Sequence, residues 1–260
     1  MSDNGDGTQF TLLGRIDGID RDGLAGHYAY PGDLARCWVR GNMIASADGG
    51  ATSAGKSGDL GGPGDRTVFA ALRELADVIV VGGATARIEN YSGVSFSAAQ
   101  RTARQQRAQA EVPPIAILTR SGVIERDALV LHRTEVPPLI LTSCDAAADT
   151  RRRLGELAEV VDVSGAQPDS VDLQTALDVL AERGLRRVLA EGGPGILGRL
   201  VEDDLLDELC LTVAPVLVGG AASRIVSGPG QVRTGMRLRH VLTDDDGYLF
   251  LRYSRAAAAH

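Results

Sequence analysis

The chain has 260 residues, of which 44% are hydrophobic and 23% charged, the composition of a soluble globular protein long enough to bury a substantial core. A formal net charge of -7 and a pI of about 5.2 produce a field that repels nucleic acid and anionic membrane, so neither is an expected partner. The three cysteines, Cys37, Cys144 and Cys210, are widely separated and form no C-x-x-C pair, which argues against a disulfide framework or a zinc site and fits a reducing cytoplasm. No signal-peptide pattern opens the sequence, and no apolar run approaches the roughly 20 residues of a membrane span, so the expectation is a protein neither exported nor embedded.

Residues 1–33 are rich in Gly and Asp and read as an extended arm over the body or a partner subunit, ahead of one domain at 34–260. An apolar strand is predicted at 37–45, then a helix at 65–76 and a strand at 78–81. A helix follows at 98–110, where Arg101, Arg104 and Arg107 share a face that reads as solvated surface. Strands at 115–119 and 139–142 precede a helix at 146–158 and a strand at 160–163. The pattern continues with a helix at 173–183, a strand at 187–190, a helix at 194–203 and a strand at 208–213. Segments 238–242 and 248–253 flank Thr243-Asp244-Asp245-Asp246-Gly247 and predict an antiparallel hairpin. The alternation predicts an α/β fold of three layers, α/β/α, around a mixed, mostly parallel sheet.

Four stretches could carry chemistry. Asn42-Met43-Ile44-Ala45-Ser46-Ala47-Asp48-Gly49 runs an apolar strand into a turn with one carboxylate, although an isolated Asp-Gly is more often a simple turn. Val81-Gly82-Gly83-Ala84-Thr85 ends a buried strand on two glycines, whose missing side chains let a ring or phosphate approach the backbone. It lacks the G-x-G-x-x-G spacing of a standard dinucleotide fingerprint. Thr119-Arg120-Ser121-Gly122 offers a cation and two hydroxyls at a strand end, suited to a ribose 2′-phosphate. The most informative stretch is Ala190-Glu191-Gly192-Gly193-Pro194-Gly195-Ile196, a strand ending in a carboxylate before a Pro-initiated helix whose N-terminus suits a diphosphate.

In this order, and with Gly64-Asp65 and Ala214-Pro215-Val216-Leu217-Val218-Gly219-Gly220, these motifs make residues 35–253 resemble the reductase domain of the bifunctional riboflavin-biosynthesis deaminase/reductase. That family is related to dihydrofolate reductase. The resemblance implies a cytoplasmic homodimer that uses NADPH and no metal to reduce 5-amino-6-(5-phosphoribosylamino)uracil by hydride transfer to C1′ of its sugar. It implies Asp48 and Glu191 as the catalytic carboxylates, with Asn42, Ser46 and Ser57 beside the substrate. Ala45, Gly82, Gly83, Ala84 and Thr85 would lie along the cofactor, Gly192, Gly193, Pro194, Gly195 and Ile196 on its diphosphate, and Thr119, Arg120 and Ser121 on its 2′-phosphate.

On that resemblance the protein aligns donor and acceptor carbons, with Asp48 anchoring the amino-pyrimidine and Glu191, partly desolvated, acting as the acid. Two departures bear on the substrate. Gly50 stands where the family commonly has a lysine beside the substrate phosphate, and Ala86 to Gly93 lacks the usual D-D-P and its basic residue, leaving Lys56 or Arg87 to compensate. The zinc deaminase pair of H-x-E and P-C-x-x-C is absent from the sequence. Alternatives are a dihydrofolate- or pterin-reducing activity in the same pocket, and an NADPH-binding regulator without turnover.

Overall fold

The computed structural model describes residue 19 and residues 21–53 and 55–256, so most of the expected arm, residues 1–18 and 20, lies outside the described residues. In chain order the elements begin with α1 (Arg21–His27), β1 (Trp38–Ser46), α2 (Pro63–Leu75), β2 (Val78–Gly82), α3 (Gly83–Ile88) and α4 (Ala98–Gln106). There follow β3 (Ile115–Leu118), α5 (Leu129–His132), β4 (Leu139–Thr142), α6 (Cys144–Leu154) and β5 (Glu159–Asp162). The chain ends with α7 (Leu173–Glu182), β6 (Arg187–Ala190), α8 (Pro194–Glu202), β7 (Glu208–Ala214), β8 (Met236–Thr243) and β9 (Leu249–Arg255).

Continuous apolar runs occupy the middle of the sheet, because a strand covered on both faces has no solvent side to alternate with. Every residue of β2, β3 and β4 is buried. Successive side chains still point to opposite faces. Ile79, Val81, Ile115, Ile117, Ile140 and Leu189 pack with Leu72, Leu75 and Leu154 of α2 and α6. Val78, Val80, Ala116, Leu118, Leu139 and Leu141 pack with Leu177, Leu180, Leu197 and Leu200 of α7 and α8. The predicted three layers follow from this division.

The nine strands run in the order β5-β4-β3-β2-β6-β1-β7-β9-β8. Strands β5 through β7 are parallel, and β9 pairs antiparallel with both β7 and β8, so the expected C-terminal hairpin closes one edge. β6 lies between β1 and β2, which brings the carboxyl ends of these three strands side by side. Such a juncture is where open α/β sheets form ligand crevices.

Several boundaries differ from the sequence reading. The helix expected to reach 158 stops at Leu154, because Gly155 adopts φ 57° and a 3₁₀ turn follows. The helix expected to reach 110 ends at Gln106, and Ala108 then turns with φ 56°. The arginine row is also corrected. Arg104 is wholly buried and donates to the carbonyls of Glu74, Ala76 and Ala110, each at 2.7 Å. It caps the carboxyl end of α2, where carbonyls lack partners within the helix.

In the described part of the expected arm, residues 21–27 form the helix α1 and residues 28–33 run on without regular structure. α1 packs on α2, and Leu24 and Tyr28 enter the core. Beside it, Arg40 and Glu208 form a 2.6 Å ion pair with neither side chain exposed. Arg40 sits 3.9 Å from the Tyr30 ring centre, so the face of its charge is met by a ring quadrupole. Arg252 donates to both Glu208 oxygens and to the carbonyls of His27 and Ala29, which fastens this N-terminal segment to the sheet.

His240 packs edge-on against Tyr28 and His27, and burial, helped by the Arg252 charge, holds its pKa down at about 4. The unfolded chain, with His near 6.5, therefore binds more protons between these values, and stability is lost as pH falls from about 6.5 to about 4. His240→Asn is expected to flatten that part of the pH dependence of the urea-unfolding free energy.

Candidate active site

A cleft of about 1300 Å³ opens at the juncture of β1 and β6, walled by α2, the segment 88–92 and the loop 217–223. Asn42, Met43 and Ile44 of β1 form part of its lining, with Glu191, Gly193 and Pro194 after β6. Thr85 of α3 lines it from the end of β2.

Glu191 is the group around which the cleft is organised. Arg73 of α2 grips both of its oxygens, Nε to Oε1 and Nη2 to Oε2 at 2.7 Å each, and the Tyr91 hydroxyl donates to Oε2 at 2.8 Å. A buried carboxylate held by a bidentate guanidinium and a phenol has its acceptor sites occupied by strong donors. Burial works against the Arg73 charge, but the attraction of Glu191 outweighs it and raises the guanidinium above its ordinary pKa. Tyr91 is raised by burial and by the Glu191 charge, so its phenol stays protonated as a donor. Arg73 also lies 4.2 Å over the Phe69 ring, and Asp65, Phe69 and Arg73 all line the cleft at four-residue spacing on α2. From sequence alone this helix reads as a plain amphipathic one, and no motif singles out Arg73 or Tyr91. The available signal was a carboxylate and a guanidinium in register with the apolar face.

Of the glycines beside this carboxylate, Gly193 lines the cleft, whereas Gly82 and Gly192 are buried. The Gly192–Gly193 bond is cis, Gly192 has φ 94°, and its carbonyl accepts from Gly82 N–H at 2.8 Å. A Cβ at Gly82 would lie 2.9 Å from Ile196, one at Gly193 2.5 Å from Thr85 Oγ1, and one at Gly83 3.2 Å from Thr119. Glycine at these positions lets the ends of β2, β3 and β6 pack closely against α3 and α8. The first turn of α8 follows directly; Pro194 carries no N–H, and Ile196 and Leu197 donate to the Gly193 carbonyl at 3.0 and 3.2 Å, so Gly195 contributes the N–H nearest the helix start. The low surface at Gly193 and Pro194, with the Thr85 side chain beside it in the cleft lining, fits a flat ring or a diphosphate.

Other sequence-predicted residues are distributed around this centre. Ser57 lies in the cleft lining and donates through N and Oγ to Glu89 Oε1 at 3.0 and 2.8 Å. Ala45 is buried on β1, and Gly195 and Ala84 are exposed. Arg120 lies outside the main cleft and lines a second hollow of about 590 Å³ with Arg199, Asp172 and residues 165–167. Thr119 abuts Gly83, and Ser121 follows Arg120 on the exposed side.

Asp48 is not among the residues that line the cleft. Its carboxylate accepts from Ser46 Oγ at 2.5 Å, Val218 N at 3.1 Å and Gly219 N at 2.7 Å. The Ser46 bond and then these amides hold its pKa down at about 2. Asp48 therefore ties down the 217–223 loop, which is itself a cleft wall. Gly50 has a local reason to lack a side chain, since a Cβ would lie 2.4 Å from Val218 Cγ2 and 3.0 Å from Ala222. Lys56 and Arg87 do not line the cleft, whereas Arg66 does.

A mostly parallel sheet with a C-terminal antiparallel hairpin and this strand-end cleft place the protein in the dihydrofolate reductase-like class of α/β proteins. It superposes with a TM-score of 0.74 at 26% identity on a pyrimidine reductase-like protein of Corynebacterium diphtheriae, over 85% of this chain and 92% of that one. The chain belongs to the RibD C-terminal domain family, whose model matches residues 37–250. It is 28% identical over 192 residues to the 2,5-diamino-6-ribosylamino-4(3H)-pyrimidinone 5′-phosphate reductase of Archaeoglobus fulgidus, covering 74% of this chain and 86% of that protein. Riboflavin biosynthesis protein RibD of Bacillus amyloliquefaciens is 30% identical over 195 residues, 74% of this chain, which spans 50% of the Bacillus protein's length. No helix among the described residues is long and apolar enough to cross a membrane.

Removing one partner of a buried ion pair strands the other, at a cost of about 3–5 kcal/mol. Arg73→Met is expected to lower the unfolding free energy by about that amount in urea titrations, while Arg66→Met, at an exposed position, should change it by less than about 0.5 kcal/mol.

Proposed function

We propose that this protein is an NADPH-dependent reductase that opens the sugar ring of a ribosylamino-pyrimidine 5′-phosphate in riboflavin biosynthesis. The observation that carries this reading is the clamped Glu191 carboxylate beside Gly193, Pro194 and Thr85, in a cleft large enough for two ligands. Relatives named as reductases of the same ribosylamino-pyrimidine support it.

The cofactor, when bound, supplies the hydride. Gly82, Gly83, Gly193 and Thr85 would carry its nicotinamide end, the first turn of α8 its diphosphate, and Thr119, Arg120 and Ser121 its 2′-phosphate, with Arg120 reaching from the second hollow. Hydride arriving at C1′ breaks the bond from that carbon to the ring oxygen, which takes up one proton, and the chain carbon remains bonded to the pyrimidine amino nitrogen. Positive charge grows at C1′ and its nitrogen as the C–O bond loosens. Glu191, fixed by Arg73 and Tyr91 in a water-poor site, opposes that charge without needing to reorganise. This role replaces the acid first assigned to it, since both oxygens are already accepting. Asp48 and Ser46 act through the 217–223 loop, while Asn42 and Ser57 face the substrate side. A cytoplasmic homodimer belongs to the same proposal.

Arg66 is the cleft cation not bridged by a strong contact to a carboxylate, and its closest hydrogen bond is a 3.4 Å one to the Gly61 carbonyl. It is assigned to the substrate phosphate in place of the lysine that Gly50 excludes. That missing lysine is also the observation that favours a second reading, reduction of a dihydrofolate or another pterin in the same pocket.

Purified protein assayed at 340 nm with NADPH is expected to turn over a ribosylamino-pyrimidine phosphate and not dihydrofolate. Arg66→Ala is expected to raise KM for that substrate on the order of 10- to 100-fold with a smaller change in kcat, as loss of a charge-assisted contact implies. A preference for dihydrofolate would install the pterin reading instead.

A further inference from the structure

The cleft lining holds three carboxylates among the described residues, Asp65, Glu89 and Glu191. Glu191 is taken by Arg73 and Tyr91, and Glu89 by the backbone and hydroxyl of Ser57. Asp65 differs. It is the third residue of α2, half-buried, and receives a hydrogen bond from the Thr212 hydroxyl of β7. A carboxylate has about four acceptor positions, so this one keeps capacity for a ligand. A Cβ at Gly61 would sit 2.9 Å from Asp65 Oδ2, so glycine there is what admits the carboxylate at this position, and both residues line the cleft. One helical turn on, Phe69 adds an aromatic ring to the same cleft wall, a surface for a flat heterocycle. Burial raises the Asp65 pKa, the mark of a carboxylate partly withdrawn from water.

The relatives carry two substrate rings in their names. One is a 2,5-diaminopyrimidinone and the other a uracil, as in the Thermotoga maritima deaminase and uracil reductase. These rings differ at one edge. A 2-amino-4-oxopyrimidine presents its ring N3–H and its 2-amino N–H side by side, two donors that match two carboxylate oxygens. Uracil presents N3–H between two carbonyls, so a carboxylate gaining that one donor also faces an acceptor.

Resting on the reductase reading, we propose that Asp65 is the specificity-determining residue for the base, and that it selects a 2-amino-4-oxopyrimidine ring over a uracil ring. Asp65 thereby takes the anchoring role that the sequence assigned to Asp48. The carboxylate recognises the paired N–H edge, Phe69 supports the ring face, and Arg66, the next residue, lies toward the phosphate.

The test is kcat/KM with NADPH for the two ribosylamino-pyrimidine 5′-phosphates, in wild type and Asp65→Asn. Wild type should prefer the 2-amino substrate by about 100-fold, the scale set when a buried polar group is left unpaired or opposed. Asp65→Asn offers one acceptor and one donor, which suits uracil, and should bring the ratio to about one or invert it. A ratio is insensitive to partial misfolding, which lowers both rates together. Equal wild-type rates on the two substrates, or a preference that Asp65→Asn leaves unchanged, would overturn the role of Asp65 and leave the reductase reading intact. If neither substrate is reduced, calorimetry of the NADPH-loaded protein with 2,5,6-triaminopyrimidin-4-one and with 5,6-diaminouracil decides the matter. Selective binding that Asp65→Asn abolishes would uphold the recognition and end the reductase reading; unselective binding would end both.

Discussion

A parallel sheet covered on both faces has no place in its interior for an unpartnered polar group. That constraint orders the rest of this structure. From β4 to β6 across the sheet the strand interiors are almost wholly aliphatic, and the polar residues lie at the strand ends. Because β6 is inserted between β1 and β2, three of those ends converge, and the cleft is the result. Where charge does enter the sheet, at Arg40 and Glu208, it comes paired, ring-stacked and covered by the N-terminal segment.

Glu191 shows the same constraint at the site itself. A carboxylate at the end of a buried strand needs donors, and α2 supplies one from across the cleft through Arg73, while Tyr91 supplies another. The helix that holds this clamp also presents Phe69 and Asp65 at successive four-residue steps, so the position of one element sets a guanidinium, an aromatic ring and a carboxylate along one cleft wall. α2 is in turn held at its carboxyl end by Arg104 and on its flank by α1, so residues well outside the cleft govern its geometry.

The fold was largely legible in the sequence. Strand positions such as 139–142 and 187–190 coincide with β4 and β6, because β-branched runs bounded by turns have few other places in an α/β protein. Helix ends were less legible, since they depended on single residues such as Gly155 and Ala108 taking positive φ. At the site, the strand-end glycines and Glu191 could be read locally, because close backbone packing and strand-end placement are properties of a short motif. Arg73 and Tyr91 could not, as they lie 118 and 100 positions from the carboxylate they hold.

Asp48 and Asp65 mark the division most sharply. Both stand near the start of the chain after β1, and either could be assigned to a ligand on residue type alone. The structure turns Asp48 onto the amides of Val218 and Gly219 and leaves Asp65 in the cleft wall. The sequence by itself determined the alternation of buried strands and amphipathic helices, and with it the sheet, because hydrophobic periodicity and turn chemistry act over a few residues. Only the tertiary structure decided which carboxylates line the cleft and which close a loop, because hydrogen-bond partners are chosen by proximity in space across more than a hundred positions of chain.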